Sequence, residues 1–155
     1  LGDVYKRRLD DSARGTRRSR LKAGLPRAAE HLNMLASHLV EGLQSLGTVH
    51  VLGVDGDGDV LEEFSAVDRV PRVSFLVDGV PAGVVVQRLL ANGVVAGVVA
   101  PGQSQLLERM GVFEEHPAAS SDSPLDQAGA VAVGFAPHNT VHDVEQLVRV
   151  VASVK

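Results

Sequence analysis

The sequence predicts an α+β domain in which one long helix is followed by a small sheet covered by helices. Leucines recur at seven-residue spacing from Leu25 to Leu46, a pattern typical of a helix with one apolar face. Short apolar runs bounded by Gly, Pro and Asn then alternate with helical stripes, in the order β-β-α-β-α-β-α. This order favours a layered α+β sandwich.

The long helix is expected from about residue 25 to residue 47, with Pro26 in its first turn and Gly47 at its end. Each later element follows from its own periodicity and its flanking turn residues. They are strands at 49–54 and 72–78, a helix from Pro81 to Asn92, a strand at 94–99, a short helix at 103–110, a strand at 130–135 and a last helix from Thr140.

Composition limits the classes of protein to which the chain can belong. Its 155 residues, 45% of them hydrophobic, suit one domain with a buried core. There is no cysteine, which excludes disulfides, thiolate zinc sites and thiol nucleophiles. No apolar run reaches the roughly 18 residues of a membrane span, and the N-terminus lacks a signal-peptide core. We therefore expect no membrane partner and a cytoplasmic location.

Charge is distributed unevenly along the chain. The net charge of -4 hides nine basic residues up to Arg27, against three acidic residues in the same stretch. Residues 1–24 also lack an apolar stripe, so we expect them to be poorly ordered or docked on a partner chain. Aromatic residues make up 3% of the sequence, which leaves few platforms for base stacking and makes nucleic acid an unlikely partner.

The segment PHNTVHDVEQLV, residues 137–148, combines histidines and carboxylates in the pattern of a candidate metal site. However, Thr140 and Asp143 have the spacing of a capping box, and His138 precedes the cap, so His138 and His142 would not share a helical face. The pattern therefore favours the start of a helix over a metal site.

The acidic segment DGDGDVLEEF, residues 55–64, resembles the beginning of a calcium-binding loop. The resemblance then fails, because the sixth position is Val60 where glycine is needed and the twelfth is Ala66 where glutamate is needed. We therefore expect a solvated turn.

Three segments in order, LDDSARGTRRSRL, RVPRVSFLVDGVP and VAVGFAPHNTVHDVEQLV, resemble the C-terminal part of class V aminotransferases and cysteine desulfurase-like proteins. These are fold-type I enzymes that use pyridoxal phosphate. The resemblance implies their small C-terminal domain, a two-layer sandwich with a small, mainly antiparallel sheet. It divides the chain into a basic remnant of the large domain or linker (1–24), a linker helix (25–47) and the small domain (48–155).

The resemblance also implies a substrate-facing set of residues, in which this chain departs from the family. Gly102 stands where desulfurases have their cysteine, and Ala132 where the family has an arginine that holds the substrate carboxylate. His138 stands where the family has tyrosine, and Gln103 and Ser104 continue the loop after Gly102. No catalytic, cofactor-binding or metal-binding residue is assigned, because the family's lysine and cofactor contacts belong to the large domain.

The expected function is therefore that of a C-terminal domain which is not catalytic alone and holds no cofactor itself. A large cofactor domain on a separate chain, or a homo-oligomer, is the expected partner. An independent α+β interaction or ligand-binding module is the alternative, since a fold does not determine function. A nucleic-acid binder that uses the basic N-terminus is a weaker alternative.

Overall fold

The predicted α+β architecture is confirmed: a long N-terminal helix precedes a four-stranded antiparallel sheet packed with helices. The computed structural model describes residues 16–53, 71–115 and 129–154. Its elements are α1 (Arg17–Gln44), β1 (Val49–Leu52), β2 (Arg72–Val77), α2 (Ala82–Ala91), β3 (Gly97–Val99), α3 (Gln105–Arg109), α4 (Val112–Glu115), β4 (Ala130–Gly134) and α5 (Val141–Ala152).

The sheet has the strand order β1-β2-β4-β3, and every neighbouring pair is antiparallel. Phe75 in the central strand β2 lies opposite Val51 of β1 and Val131 of β4. Because successive side chains on a strand point to opposite faces, this register divides the strand residues into an inner face and an outer face.

The inner face forms the main core with α1, α2 and α5. Leu39 of α1, Phe75 of β2 and Val85 of α2 are each 0% exposed. Fully burying side chains of this size stabilises a fold by roughly 1.5–3 kcal/mol each. The helices therefore hold the sheet by this one face.

The outer face carries a second, smaller apolar cluster. Leu76, Val99 and Ala130 lie on this face and are covered by Leu107 of α3 and Val112 at the start of α4. Both faces of the sheet are thus in contact with helices, and within the described residues the outer face is covered by these two short elements.

The long helix begins at Arg17, and the predicted start at about residue 25 is wrong. Thr16 is the N-cap, and its hydroxyl accepts a hydrogen bond from the backbone N–H of Ser19 at 3.3 Å. Pro26 lies inside the helix, where it removes one backbone donor without ending it. Residues 17–24 are consequently helical, while residues 1–15 lie outside the described part of the chain.

Helices α1 and α5 approach each other closely at a glycine. A Cβ atom built on Gly42 would lie 2.8 Å from Cγ2 of Val148. That distance is shorter than van der Waals contact, and the β-branched Val148 is stiff about its first torsion. Glycine at this position therefore sets the spacing of the two helices.

We predict that Gly42→Ala lowers the free energy of unfolding by roughly 1 kcal/mol, because overpacking against Val148 exceeds the gain in helix propensity. The matched control is Gly24→Ala in the same helix, where the added Cβ meets nothing within 4 Å. This control should raise stability by roughly 0.5–1 kcal/mol. Urea unfolding measures both. A stabilising Gly42→Ala would contradict the α1–α5 contact.

Candidate functional site

The loop between β3 and α3 contains three of the predicted substrate-facing residues. Polar groups of this loop form hydrogen bonds with one another and with α3. The N–H of Gly102 donates to Oε1 of Glu108 at 2.6 Å, and the N–H of Ala100 donates to Oε1 of Gln103 at 3.0 Å. Ser104 is the N-cap of α3, with its Oγ accepting from the N–H of Leu107 at 3.4 Å. These bonds give Gln103 and Ser104 structural roles in shaping the loop.

Gly102 itself adopts a left-handed backbone conformation, with φ +84°. Residues with a Cβ atom adopt this region at a cost of roughly 1–2 kcal/mol, so glycine suits the turn. Space is not the constraint, since a Cβ here would meet nothing within 4 Å. A cysteine at this position would therefore strain the loop as it is built in this chain.

Ala132 lies in the middle of β4 on the outer face of the sheet. Its neighbours across the strands are Ser74 of β2 and Gly97 of β3, so three small residues lie in a row. Ala132 is buried in the outer apolar cluster and offers no charged group. Ala132 therefore cannot form a charged hydrogen bond with a carboxylate.

The predicted site residues do not converge on one centre within this chain. The loop with Gly102 follows Val99, which pairs with Ala130 at the start of β4. His138, by contrast, is an exposed residue in the turn after β4 ends at Gly134. Ala130 and Gly134 are separated by about 13 Å along the strand. The structure therefore places the Gly102 loop at one end of the sheet, Ala132 on the outer face and His138 beyond the opposite end.

The turn with His138 leads into α5. The capping box predicted at the start of this helix, formed by Thr140 and Asp143, is confirmed. The carboxylate of Asp143 accepts from the N–H of Thr140 at 2.8 Å and from its hydroxyl at 3.2 Å. Asn139 closes the turn, since its Oδ1 accepts from the N–H of Ala136 at 2.8 Å. His142 lies 3.8 Å from Glu145, both largely exposed, which is a weak pairing.

The structure contains two histidine contacts that the sequence does not predict. Nε2 of the half-buried His31 lies 2.9 Å from the carbonyl oxygen of Asn139, and it ties α1 to the turn before α5. Nε2 of His50 lies 2.8 Å from Oδ1 of Asp78, and this exposed pair joins β1 to the residue after β2. Neither pair has a signal in the local sequence, because each depends on how distant segments pack.

The structure places no metal site or membrane span among its described residues. Within residues 16–53, 71–113 and 129–154, no three histidine or carboxylate side chains are grouped to hold a metal ion. Among the helices of the same residues, none has the length and apolar character that crossing a membrane requires. The acidic segment 55–64, for which we expected a solvated turn, lies outside the described residues.

Comparison with known proteins identifies a mycobacterial relative. The chain is 37% identical over 150 residues to a Mycobacterium tuberculosis (strain CDC 1551 / Oshkosh) protein described as uncharacterized protein MT3887. The match covers 97% of this chain but 31% of that protein, so the chain spans about a third of the length of its relative. The chain matches no protein-family model.

The capping box predicts that the free energy of unfolding depends on pH, and a substitution at Asp143 isolates this effect. The hydrogen bond from the Thr140 backbone is the main cause that lowers the pKa of Asp143 below its ordinary value of 3.8, while partial burial opposes it. A lowered pKa in the folded state means that the contribution to stability is complete above pH 3.8 and is lost as pH falls below it.

We therefore predict that Asp143→Asn lowers the free energy of unfolding near pH 6 by up to about 1 kcal/mol, since the exposed carboxylate is screened by solvent. The difference between the two proteins should shrink as pH falls from 4 towards 2. Urea unfolding of both proteins across this range is the measurement, and Glu145→Gln in the next turn is the matched control. A difference independent of pH would show that Asp143 does not act through its charge.

Proposed function

We propose that this chain acts as the small C-terminal domain of a cysteine desulfurase-like or class V aminotransferase-like protein, and that it is not catalytic alone. The observation that carries the proposal is the order of elements in the structure. A long amphipathic helix precedes a small antiparallel sheet, and the three resembling segments contribute to α1, β2 and the β4–α5 connection. This is the arrangement that the resemblance implies for the small domain of a fold-type I enzyme.

The length of the mycobacterial relative supports the same proposal. A match covering 97% of this chain and 31% of the relative leaves room in the longer protein for a separate cofactor domain. In the proposed assembly, that domain supplies the Schiff-base lysine and the phosphate contacts of pyridoxal phosphate. The bound cofactor would act there as the electron sink for chemistry on an amino group.

Of the three lysines of this chain, the one that the structure describes is poorly suited to that role. The three are Lys6, Lys22 and Lys155, and Lys22 is an exposed residue on α1. A Schiff-base lysine is activated by desolvation or by a neighbouring charge, and an exposed helical lysine has no such desolvation. Lys6 and Lys155 lie outside the described residues.

The outer face of the sheet is the part of this chain that would face the substrate. Ser74, Ala132 and Gly97 lie in a row on this face, with Ala132 buried and Gly97 exposed, and Gly102 lies in the loop that follows β3. Sulfur abstraction from cysteine needs a thiolate, and Gly102 provides none. A carboxylate anchor is likewise missing at Ala132. We therefore propose that the parent protein does not release sulfur from cysteine and that the small domain shapes the substrate pocket without charged contacts from Gly102 or Ala132.

The proposal is tested with a chimera in which this chain replaces the matching 150 residues of the mycobacterial protein. With pyridoxal phosphate, the chimera should develop the visible absorbance of an internal aldimine, and borohydride should fix the cofactor to a lysine outside this chain. The isolated chain should form no stoichiometric adduct, and neither protein should release sulfide from cysteine.

Lys22→Arg in the isolated chain is the matched control, because it removes the one described lysine while keeping the charge. A stoichiometric adduct that disappears in this variant would contradict the assignment of the lysine to another domain. Absence of an aldimine in a folded chimera would contradict the proposed family.

A further inference from the structure

The first three turns of α1 are mostly exposed, whereas the rest of the helix contributes side chains to the core. Residues 17–27, here called the exposed segment of α1, include no buried residue, and the first buried residue of the helix is Ala28. Two large apolar side chains in this segment face solvent, with Leu21 40% exposed and Leu25 62% exposed. The segment is about 16 Å long at the rise of an α-helix.

The apolar face of the core continues into the exposed segment without interruption. From Leu39, the positions Leu35, Leu32, Ala28, Leu25 and Leu21 follow at alternating spacings of four and three residues. Residues at these spacings share one helical face. The face that packs on the domain at Leu35 and Leu39 therefore runs on to Leu21, and the described residues leave Leu21 and Leu25 exposed. An exposed apolar face that continues a core face suits an interaction with a partner.

The charges beside this face indicate the chemistry of the partner. The exposed segment contains Arg17, Arg18, Arg20 and Lys22, and its first turn has no acidic residue. Positive charges at the beginning of a helix oppose its dipole, so this end of α1 is unfavourably charged by itself. Carboxylates on a partner would compensate the cations, whereas a second copy of the same helix would add repulsion.

We propose that the exposed segment of α1 docks in an apolar groove bordered by Asp and Glu side chains on a second domain of a longer protein. Leu21 and Leu25 fill the groove, and the arginines pair with its rim. The inference rests on the proposed function in one respect, which is that the second domain is the cofactor domain. The length of the relative beyond the 31% that this chain matches accommodates such a domain.

Hydrogen exchange tests the inference by comparing residues 17–27 in the isolated chain and in the chimera described above. In the isolated chain, these amides should exchange quickly, while those around Leu39 exchange slowly. In the chimera, residues 17–27 should become protected by a factor on the order of tenfold or more, since two leucines are buried. Equal exchange in both proteins would overturn the proposal. If the chimera does not fold, the intact mycobacterial protein gives the same comparison over its aligned residues.

A pair of matched variants separates the docking face from the rest of the helix. Leu25→Glu places a negative charge on the apolar face and should abolish the protection of residues 17–27 in the chimera. Met34→Glu is the control, because Met34 is 49% exposed and lies on the opposite side of α1 from Leu25. Equal effects of the two variants would count against the proposed groove.

Other occupants of the face give distinct results, and each would overturn the proposal. Protection of residues 17–27 in the isolated chain would indicate another segment of this chain, or a second copy if the protection is lost on dilution. Binding of the isolated chain to phosphatidylglycerol vesicles, without protection in the chimera, would indicate a membrane surface. The absorbance of the cofactor is measured separately from hydrogen exchange. A chimera that forms an aldimine but shows no protection of residues 17–27 refutes this inference alone. A chimera that shows the protection but forms no aldimine refutes only the proposed function.

Discussion

The apolar face of α1 packs against β1, β2 and α5, and the positions of the other elements depend on this contact. Leu35, Leu39 and Leu43 are all 0% exposed on that face. Gly42 allows α5 to approach, and His31 holds the turn from which α5 begins. Because the inner face of the sheet is occupied by helices in this way, the outer face is the one that the described helices leave partly uncovered, as exposed Gly97 shows.

This division of the sheet explains why the candidate site is small and uncharged in this chain. The short helices α3 and α4 cover one end of the outer face, and the row from Ser74 to Gly97 continues it with small side chains. Gly102 and Ala132 supply neither a thiol nor a cation. The exposed segment of α1 is a second surface that the described residues leave uncovered.

The sequence predicted the elements whose signal is local. The stripe of α5 and the capping box of Thr140 and Asp143 depend on residues within one or two turns, and both were predicted correctly. The prediction misses the start of α1 because it places Pro26 in the first turn, although the leucine face continues past Pro26 to Leu21. The contact of His31 with Asn139 joins residues 108 positions apart, so only the packing of the helices reveals it.

We propose that the outer face of the sheet meets a second domain, and the reactivity of a single thiol on that face distinguishes a covered surface from a free one. The chain has no cysteine, so Gly97→Cys, at an exposed position on that face, provides one probe. In the isolated chain the thiol should react rapidly with an uncharged maleimide. In the chimera the thiol should react roughly tenfold more slowly, because the second domain covers it. Each rate is divided by the rate for the same protein when unfolded. Equal rates in the folded chimera and the isolated chain would show that no second domain covers the outer face of the sheet.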